Sequence, residues 1–499
     1  MMDLGRYFSN PSGAVSTVRN LPEEVVAALF ARYSRSPLGI RQELASMLDE
    51  QGGLGADGAG HGGSLDEAVR RSSKFHEKFV VGYGHSSVAE HATVHLAVEG
   101  CSILAAKRIE DRRLGSYTEK STRYVRFDAD GYVADVGFSG AHAQAYRSSC
   151  ERLLEAYELV CAEAEREIAR RRPDVSAAAV RARACDLSRG LLPASARTNV
   201  GVTMNARSLA HSLRSMREVG AAELDRLADA IEVEASRELP TLLRYVEPSS
   251  HRAAAWQRVG RAIERTFGPA APGRRPIEPA AGPEVRLHSR HGTSAREIAW
   301  SVMAEVGTIL PPGDGLTAVA PWPDDRQALE IVEAYMAGRG RHEQPDRALE
   351  RAFFTWEVTC DYGAWRDLAR HRMASATLPT LGVGLGYVRP DGLRELGLAE
   401  AFDSAVVQAG EVARELAGVN PWLAQYAVPL AFRVSYALTV NLREAFHLVE
   451  LRSSSAGHPG YRAVAHALAR DVISACPWTE GHLRVDWADH EFAREPRKP

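Results

Sequence analysis

Residues 192–211 read LPASARTNVGVTMNARSLAH, and residues 428–447 read VPLAFRVSYALTVNLREAFH. Each stretch places a threonine, an asparagine, an arginine and a histidine at the same distances after a proline. The asparagines are Asn205 and Asn441, so the two copies are offset by 236 residues, the difference between these numbers. A whole set of matches at one offset indicates a tandem duplication.

The arginine and the histidine of each copy have the spacing of neighbours on one face of a helix. Arg207 and His211 are one turn apart, as are Arg443 and His447, so each pair forms a polar stripe. In the second copy, Arg452 follows five residues after His447. A solvated basic helix face is the simpler interpretation of such a stripe, and the spacing alone leaves both interpretations open.

The domain organisation follows from length and from the position of proline and glycine. A chain of 499 residues exceeds what a single hydrophobic core supports. The segment GPAAPGRRPIEPAAGPE at residues 268–284 is the richest in proline and glycine and predicts a linker. We therefore expect a first repeat at residues 1–246, a linker at 247–283 and a second repeat at 284–499.

Both repeats are expected to mix helices with a few strands. The run from His142 to Arg172 carries apolar residues at helical spacing and predicts a long helix. The segment VRLH at residues 285–288 alternates in polarity, which predicts a strand at the start of the second repeat. The predicted fold class is therefore α+β, with two tandem helix-rich domains that each contain a small sheet.

Charge and cysteine content exclude several classes of protein. The net charge of −3 argues against a nucleic-acid-binding or membrane-surface protein. The amino terminus has no basic segment followed by an apolar run, and no long apolar span occurs elsewhere, so we expect a cytoplasmic protein. The six cysteines show no CxxC spacing, which predicts neither a disulfide framework nor a metal site.

Two clusters of polar residues indicate binding chemistry. In EKSTRY, Glu119, Ser121 and Arg123 could point to one side of an extended or turning segment and together hold a sugar, a pyrimidine edge and a phosphate. In the second repeat, the triplet RHR at residues 370–372 places two arginines around a histidine, which favours an anionic cofactor as partner. A polar loop and a basic surface turn are the simpler interpretations.

At these positions the chain resembles the flavin-dependent thymidylate synthase family. Members of that family carry a GHxSxxEH segment, an RHRxxSxNExSxRY segment, and an LP turn that leads into NARxLxxFLxLR. The first repeat has GHSSVAEH at residues 84–91 and SYTEKSTRY at 116–124, and the second repeat has RHRMAS at 370–375 and NLREAFHLVELR at 441–452. The matches span nearly the whole chain.

The resemblance implies an assembly and a set of binding residues. The family forms homotetramers of mixed α/β subunits with active sites between subunits, so we expect this fused chain to form a homodimer, a pseudo-tetramer of repeats. The residues expected to bind a pyrimidine nucleotide are Glu119, Ser121, Arg123 and Arg189. The residues expected to bind FAD are His85, Ser87, Glu90, Arg370, His371, Arg372, Asn441, Arg443 and His447. Arg452 corresponds to the arginine that activates the substrate.

The two repeats depart from the family pattern in opposite places. The first repeat lacks the histidine of RHR and has Met216 where the activating arginine is expected. The second repeat lacks the glutamate, serine and arginine that hold the nucleotide, and Gln425 replaces the arginine that Arg189 represents. Because the losses are complementary, we expect one composite site, with nucleotide-binding residues from the first repeat and Arg452 from the second.

The implied reaction is the reductive C5 methylation of dUMP. In the family, NADPH reduces FAD, methylenetetrahydrofolate gives the one-carbon unit, and no enzyme cysteine attacks the ring. Two alternatives stay open at this point. One is the same chemistry on another pyrimidine nucleotide such as UMP, and the other is a non-catalytic homologue that binds a nucleotide or flavin. An absorption spectrum of the purified chain distinguishes the last of these.

Overall fold

The computed structural model describes residues 4–10, 12–49, 86–127, 131–268, 276–306 and 322–492. The chain divides into two compact units, and neither is continuous in sequence. Unit 1 consists of Met1–Cys101, Ala105–Lys120 and Thr198–Ala271, and unit 2 consists of Ser102–Leu104, Ser121–Arg197 and Pro272–Pro499. The middle of the predicted first repeat thus belongs to the same unit as the predicted second repeat.

Unit 1 contains a three-stranded sheet. Its strands are β1 (Thr93–Ser102), β2 (Gly115–Glu119) and β3 (Arg197–Asn205), in the order β1-β3-β2. Strands β2 and β3 are antiparallel, with Gly115 opposite Met204. The helices that lie wholly in unit 1 are Glu23–Tyr33, Ile40–Asp49, Ala206–Arg217, Ala222–Glu238 and Ser250–Phe267. The short helix Ile103–Ile109 follows β1.

Unit 2 contains a four-stranded sheet. The strands are β4 (Glu284–His291), β5 (Phe353–Asp361), β6 (Ser375–Ala376) and β7 (Arg433–Asn441), and they lie in the order β4-β5-β7-β6. All the strand pairs are antiparallel. Alternate residues of β5 are buried, because a strand with one covered face turns every second side chain into the core. The buried side chains include Phe354 and Trp356, whose rings stack 5.2 Å apart.

Helices surround the sheet of unit 2 and bury one large core. The core draws on helices from both predicted repeats, since Tyr157 and Leu448, both fully buried, belong to the same cluster. The helices are Gly140–Arg171, Ala177–Ser188, Ala295–Val306, Asp325–Met336, Tyr362–Leu368, Gly392–Glu395, Ala399–Ala417, Pro421–Ala424, Leu442–Ser453 and Pro459–Ala475. A small separate cluster of buried residues in unit 1 includes Phe8 and Leu29.

The internal repeat is visible as equivalent elements. Strand β3 corresponds to β7, and helix Ala206–Arg217 corresponds to Leu442–Ser453, with the same offset at both ends. Each helix begins after an asparagine whose side-chain oxygen accepts a hydrogen bond from the third following backbone N–H. Asparagine is a preferred residue at this position, because its oxygen satisfies a backbone donor that the helix leaves without a partner.

The two proline turns pair with each other inside unit 2. Pro193 and Pro429 form an antiparallel bridge. Four backbone hydrogen bonds flank the bridge, and each bond has a counterpart in which the two repeats exchange the donor and acceptor roles. They are Ala194 N to Val428 O (2.9 Å), Leu430 N to Leu192 O (2.9 Å), Ser195 N to Tyr426 O (3.1 Å) and Ala431 N to Gly190 O (2.9 Å). This exchange is the pattern of a two-fold interface between like subunits.

The predicted fold class, α+β, is confirmed. The predicted long helix is Gly140–Arg171, and the predicted strand near residue 285 is β4. The predicted linker also contains the helix Ser250–Phe267, where apolar residues at helical spacing precede the proline-rich part. The boundaries of the two repeats stay a prediction. Among the described residues, no helix combines the length and the apolar character that a bilayer crossing requires.

Gly386 is a position where the fold requires glycine. Its φ is +71°, and a Cβ there would lie 2.7 Å from the backbone oxygen of Glu278. We expect Gly386→Ala to lower the free energy of unfolding by about 2 kcal/mol or more, since left-handed strain and a backbone clash add together. Urea unfolding followed by tryptophan fluorescence measures the change.

Gly384→Ala is the matched control for this prediction. Gly384 lies two residues away, and a Cβ there would have open space around it. Alanine should therefore be tolerated at residue 384. Equal unfolding midpoints for the two variants would contradict the strain at Gly386.

Candidate functional site

Arg123 forms a buried ion pair with Asp186 in unit 2. Its Nε donates to one carboxylate oxygen at 2.7 Å and its Nη2 to the other at 2.8 Å. Asp186 lies on the helix Ala177–Ser188, and both side chains are almost fully buried. The Nη1 of Arg123 donates to the backbone oxygen of Ala456 and to the Tyr461 hydroxyl. Most of the guanidinium donors of Arg123 thus bind protein groups.

Tyr461 joins predicted site residues of the two repeats. The guanidinium carbon of Arg123 lies 5.7 Å from the centre of the Tyr461 ring, and that of Arg452 lies 5.4 Å from it. Both distances are within the range of cation–π contacts. Arg123 comes from the predicted first repeat and Arg452 from the second, so the fold brings together the residues that the complementary losses had paired.

Arg189 binds a second buried carboxylate. Its Nη1 donates to Asp367 at 3.1 Å, and the side chains of both residues are largely buried. The Nη2 of Arg189 is also enclosed, yet it has no hydrogen-bond partner among the described residues. A buried guanidinium nitrogen without an acceptor is costly, because water no longer solvates it. An anionic ligand would supply the missing acceptor.

Asp367 lies in the electric field of several arginines. Burial by itself would raise the pKa of this carboxyl, yet the arginines hold the pKa well below its ordinary value. In decreasing order of effect they are Arg189, Arg370, Arg123 and Arg452. Because each of them lowers the pKa of Asp367, the four guanidinium groups lie near this one carboxylate. All four belong to predicted site residues.

Carboxyl groups accompany these arginines. Asp186, Asp361 and Asp367 lie near them, and burial raises the pKa of Asp361. Glu444 is a further carboxylate, linked to Arg452 through His371. The arginines and carboxylates are thus similar in number, and it is the Nη2 of Arg189 that lacks an acceptor among the described residues.

His458 is the neutral member of this buried group. Its Nδ1 accepts a hydrogen bond from Gly460 N at the start of the helix Pro459–Ala475, and its Nε2 lies 3.4 Å from the backbone oxygen of Asp186. An Nδ1 that accepts must be unprotonated, so the hydrogen atom is on Nε2. Burial lowers the pKa of His458 to about 3, and the charge of Arg189 adds to this effect.

Arg452 is held by a chain of two hydrogen bonds. Its Nε donates to His371 Nε2 at 2.9 Å, and His371 Nδ1 lies 2.7 Å from a carboxylate oxygen of Glu444. The side chains of His371 and Glu444 are almost fully buried. Burial raises the pKa of a carboxyl, but the hydrogen bonds to His371 and His447 hold the pKa of Glu444 at about 2. Glu444 is therefore ionised at neutral pH.

The remaining predicted flavin residues of the second repeat are more exposed. The side chains of Arg370 and His447 are nearly half exposed. Arg443 donates to the backbone oxygen of Pro345 and pairs with Glu350. Arg372 is exposed, and the side-chain oxygen of Asn441 is used to cap the helix Leu442–Ser453. Arg370, Arg443 and His447 are thus partly exposed to solvent, in contrast to the buried His371.

One group of side chains has the spacing of metal ligands. The ligand atoms of His371, Glu444 and His447 lie within 4.8 Å of one another. A metal on Nδ1 of His371 would leave the hydrogen atom on Nε2, where it would face the N–H of Arg452. The hydrogen bonds therefore favour an ion-free cluster, and the expectation of no metal stays a prediction.

The predicted residues of unit 1 form pairs of their own. Glu119, at the end of β2, is buried against Lys107 at 2.8 Å. Glu90 is exposed and pairs with Arg207 at 2.6 Å. Ser87 is exposed in a short 3-10 helix, and His85 lies outside the described residues. In unit 2, the Ser121 hydroxyl accepts a hydrogen bond from the backbone N–H of Arg123.

A family model described as thymidylate synthase complementing protein matches residues 19–241 and 324–478. The matched segments cover more than half of the chain, and one segment falls in each predicted repeat. The chain belongs to this family. The resemblance inferred from the sequence motifs is thereby confirmed.

Relatives within and around the family differ in how much of the chain they match. A UPF0159 protein of Chlamydia pneumoniae is 30% identical over 515 residues, covering 98% of this chain and 95% of that protein. A flavin-dependent thymidylate synthase of Geobacter sulfurreducens is 35% identical over 132 residues, covering 26% of this chain and 51% of that protein. One similar solved structure is that of the UMP/dUMP methylase PolB from Streptomyces cacaoi bound with 5-Br dUMP. Its sequence is 21% identical and the TM-score is 0.35; the alignment covers 41% of the present chain and 96% of the PolB chain.

Several members of the cluster were not predicted from the family motifs. Asp186 lies three residues before Arg189, and Asp367 lies three residues before Arg370. A carboxylate beside a motif arginine was the available signal, although the shortest ion pairs, Asp186 with Arg123 and Asp367 with Arg189, join residues far apart in sequence. Tyr461 lies outside every motif, and no local pattern distinguished it. The roles assigned to the predicted site residues stay predictions.

Proposed function

We propose that this protein is a flavin-dependent nucleotide methylase that transfers a one-carbon unit to C5 of dUMP. The donor would be methylenetetrahydrofolate, with NADPH as reductant. The reaction would take place at one composite site to which both repeats contribute. The observation that carries this proposal is that Arg123 and Arg452, from different repeats, both contact the Tyr461 ring.

The nucleotide phosphate would bind at the buried arginine cluster. Arg189 has an enclosed Nη2 without an acceptor among the described residues, so it is the strongest candidate for direct contact. Arg123 is already paired with Asp186, and we assign it to shaping the pocket and adding positive charge. A charge-assisted bond to phosphate is stronger than a neutral one, which fits recognition of a monophosphate.

Arg452 would act on the base. A fixed guanidinium beside the uracil carbonyls would stabilise the negative charge that develops on the ring when C5 attacks the one-carbon unit. Its planar fork can donate two hydrogen bonds to a carbonyl edge. All six cysteines are buried, which agrees with a mechanism that needs no thiol nucleophile.

FAD would bind to exposed side chains of the second repeat. Arg370 and Arg443 can pair with a pyrophosphate, and His447 offers a ring nitrogen and a stacking face. The donor set, cationic and partly exposed, fits an anionic dinucleotide. When bound, the flavin would carry the reducing equivalents for the transferred carbon, while the protein binds and orients the reactants.

The equivalent position in the other repeat supports one site in each chain. Gln425 stands where the repeat offset places the counterpart of Arg189. Its side-chain oxygen accepts from Leu381 N at 3.0 Å, and its nitrogen donates to the backbone oxygen of Trp422 at 3.2 Å. Gln425 is buried and already bound to the main chain, so it offers no charge to a phosphate. The homodimeric pseudo-tetramer and the cytoplasmic location stay predictions.

The absorption spectrum of the purified full-length chain is the first test. We expect flavin bands, or their appearance after incubation with FAD. The chain should then form dTMP from dUMP, methylenetetrahydrofolate and NADPH, measured by mass spectrometry. Methylation of UMP in preference to dUMP would show that UMP is the substrate. A chain that neither contains nor takes up flavin would overturn the proposed activity.

Arg189→Gln introduces the residue that the second repeat has at the equivalent position. We expect it to weaken dUMP binding by about 2 kcal/mol, because one charge-assisted hydrogen bond to phosphate is lost. Isothermal titration calorimetry measures the affinity. Arg197→Gln, at an exposed arginine eight residues later, is the control and should bind dUMP as the parent does. Unchanged affinity in Arg189→Gln would remove Arg189 from the phosphate site.

A further inference from the structure

Glu444, His371 and Arg452 form a linear hydrogen-bonded chain in unit 2. Glu444 lies at one end, 2.7 Å from His371 Nδ1, and Arg452 lies at the other, 2.9 Å from His371 Nε2. Glu444 and Arg452 both belong to the helix Leu442–Ser453, and His371 follows the helix Tyr362–Leu368. The imidazole therefore joins two side chains of one helix that are more than two turns apart.

Only one form of His371 satisfies both hydrogen bonds. A guanidinium has donors and no acceptor, so His371 Nε2 must carry a lone pair. The hydrogen atom is then on Nδ1, from which it is donated to the Glu444 carboxylate. The other neutral tautomer and the imidazolium would each place an N–H of the ring against the N–H of Arg452. The carboxylate is the group that selects the required form.

The comparison between repeats supports a link between Glu444 and Arg452. At the same offset, Ser208 stands in place of Glu444, and Met216 stands in place of Arg452. Met216 is buried in the core. The repeat that has the arginine thus also has the carboxylate, and the repeat without the arginine has neither. Capping of the helix does not explain Glu444, since its backbone N–H is capped by Asn441 in the same way as in the first repeat.

We propose that Glu444 is a positioning residue that acts through His371 to fix the guanidinium of Arg452 for catalysis. This proposal rests on the proposed function, because it takes Arg452 as the group that contacts the base. The hydrogen bond to His371 uses only Nε of Arg452, so this bond occupies none of the N–H groups on the two terminal nitrogens. A single fixed orientation of these donors is what stabilisation of a developing charge requires.

The kinetic test compares two substitutions of Glu444. Glu444→Ala removes the acceptor, and we expect kcat to fall about 10- to 100-fold with KM for dUMP changed less than about threefold. Glu444→Gln keeps an amide oxygen that can accept from Nδ1, so it should recover most of kcat. Ser208→Ala, at the equivalent position of the first repeat, is the matched control and should behave as the parent does.

A double mutant separates positioning from general damage. If Glu444 acts through Arg452, the loss in Glu444→Ala should disappear in an Arg452→Ala background, because the arginine it positions is absent. Additive losses in the double mutant would show an independent role and would overturn the proposal. A stoichiometric metal ion that is present in the parent and lost in Glu444→Gln would overturn it as well.

The tautomer can be observed without any turnover. Histidine labelled with ¹⁵N reports the state of each ring nitrogen in long-range ¹H–¹⁵N spectra, and a His371→Gln spectrum identifies the signals of His371. We expect hydrogen on Nδ1 in the parent and in Glu444→Gln, and a mixture of tautomers in Glu444→Ala. Hydrogen on Nε2 in the parent would refute the positioning role. The expected tautomer in a chain without methylase activity would instead refute only the proposed function.

Discussion

Replacing Arg452 with alanine is expected to lower turnover by about 100- to 1000-fold, the usual loss for one transition-state donor. Nucleotide and flavin should bind nearly as in the parent, because the phosphate is assigned to Arg189 and the flavin to more exposed side chains. Single-turnover formation of dTMP, with binding measured separately, tests both parts. Arg452→Lys should recover activity only in part, since an ammonium lacks the planar fork and could not keep the Nε bond to His371.

Arg217→Ala is the control for the loss of an arginine. Arg217 ends the equivalent helix of the first repeat, one residue after Met216, and pairs with Asp229 at 2.7 Å. We place it outside the site, so its removal should leave turnover unchanged. A fully active Arg452→Ala would exclude the arginine from the reaction and with it the composite site.

The second large effect concerns stability in acid. The folded state holds the pKa of His458 at about 3 because the imidazole is buried beside Arg189. An unfolded histidine has a pKa near 6.5, so between these values the unfolded chain binds more protons than the folded chain does. Stability should therefore fall as the pH decreases. The loss attributable to His458 between pH 7 and pH 4.5 should be roughly 2 to 3 kcal/mol.

His458→Asn isolates this contribution. Asparagine can still cap the helix Pro459–Ala475, as His458 does through Nδ1, but it does not titrate. Urea unfolding at pH 7 and pH 4.5 should show a smaller acid-induced loss in His458→Asn than in the parent. Asp186 does not affect this comparison, because a carboxyl with a lowered pKa loses its stabilisation only below the ordinary pKa of aspartate, outside this pH range. His251→Asn, at an exposed histidine, is the control and should follow the parent. Equal losses in parent and His458→Asn would contradict the neutral buried imidazole.

The sequence was sufficient for the fold class, and it predicted an internal repeat and a site in which Arg123 and Arg452 of different repeats meet. Periodicity and helix caps are local signals, so the equivalent elements after Asn205 and Asn441 could be predicted to within a few residues. Periodicity says nothing about which distant residues come together. The complementary losses in the motifs do, because they predict, without any structure, that residues of different repeats share one site.

The partners of the arginines could not be predicted in the same way. The motifs predict that Arg123 binds a ligand. In the structure, two nitrogens of its guanidinium donate to the two carboxylate oxygens of Asp186. Such a pair depends on which helices pack together, and sequence spacing does not encode that. Burial keeps His458 neutral, and hydrogen bonds to His371 and His447 keep Glu444 ionised; both effects arise only once the fold is complete. The Tyr461 contact has the same origin.

The hydrogen bonds that flank Pro193 and Pro429 resemble those between two identical subunits, so the two repeats are related as a fused pair of subunits would be. In an assembly of identical subunits, one mutation alters every copy of a position at once, so no copy can lose a catalytic side chain while another keeps it. Covalent fusion removes this coupling. An arginine at residue 189 can then coexist with glutamine at 425, and methionine at 216 with arginine at 452. The first repeat is then free to keep the residues that bind a ligand, and the second repeat those that take part in its reaction.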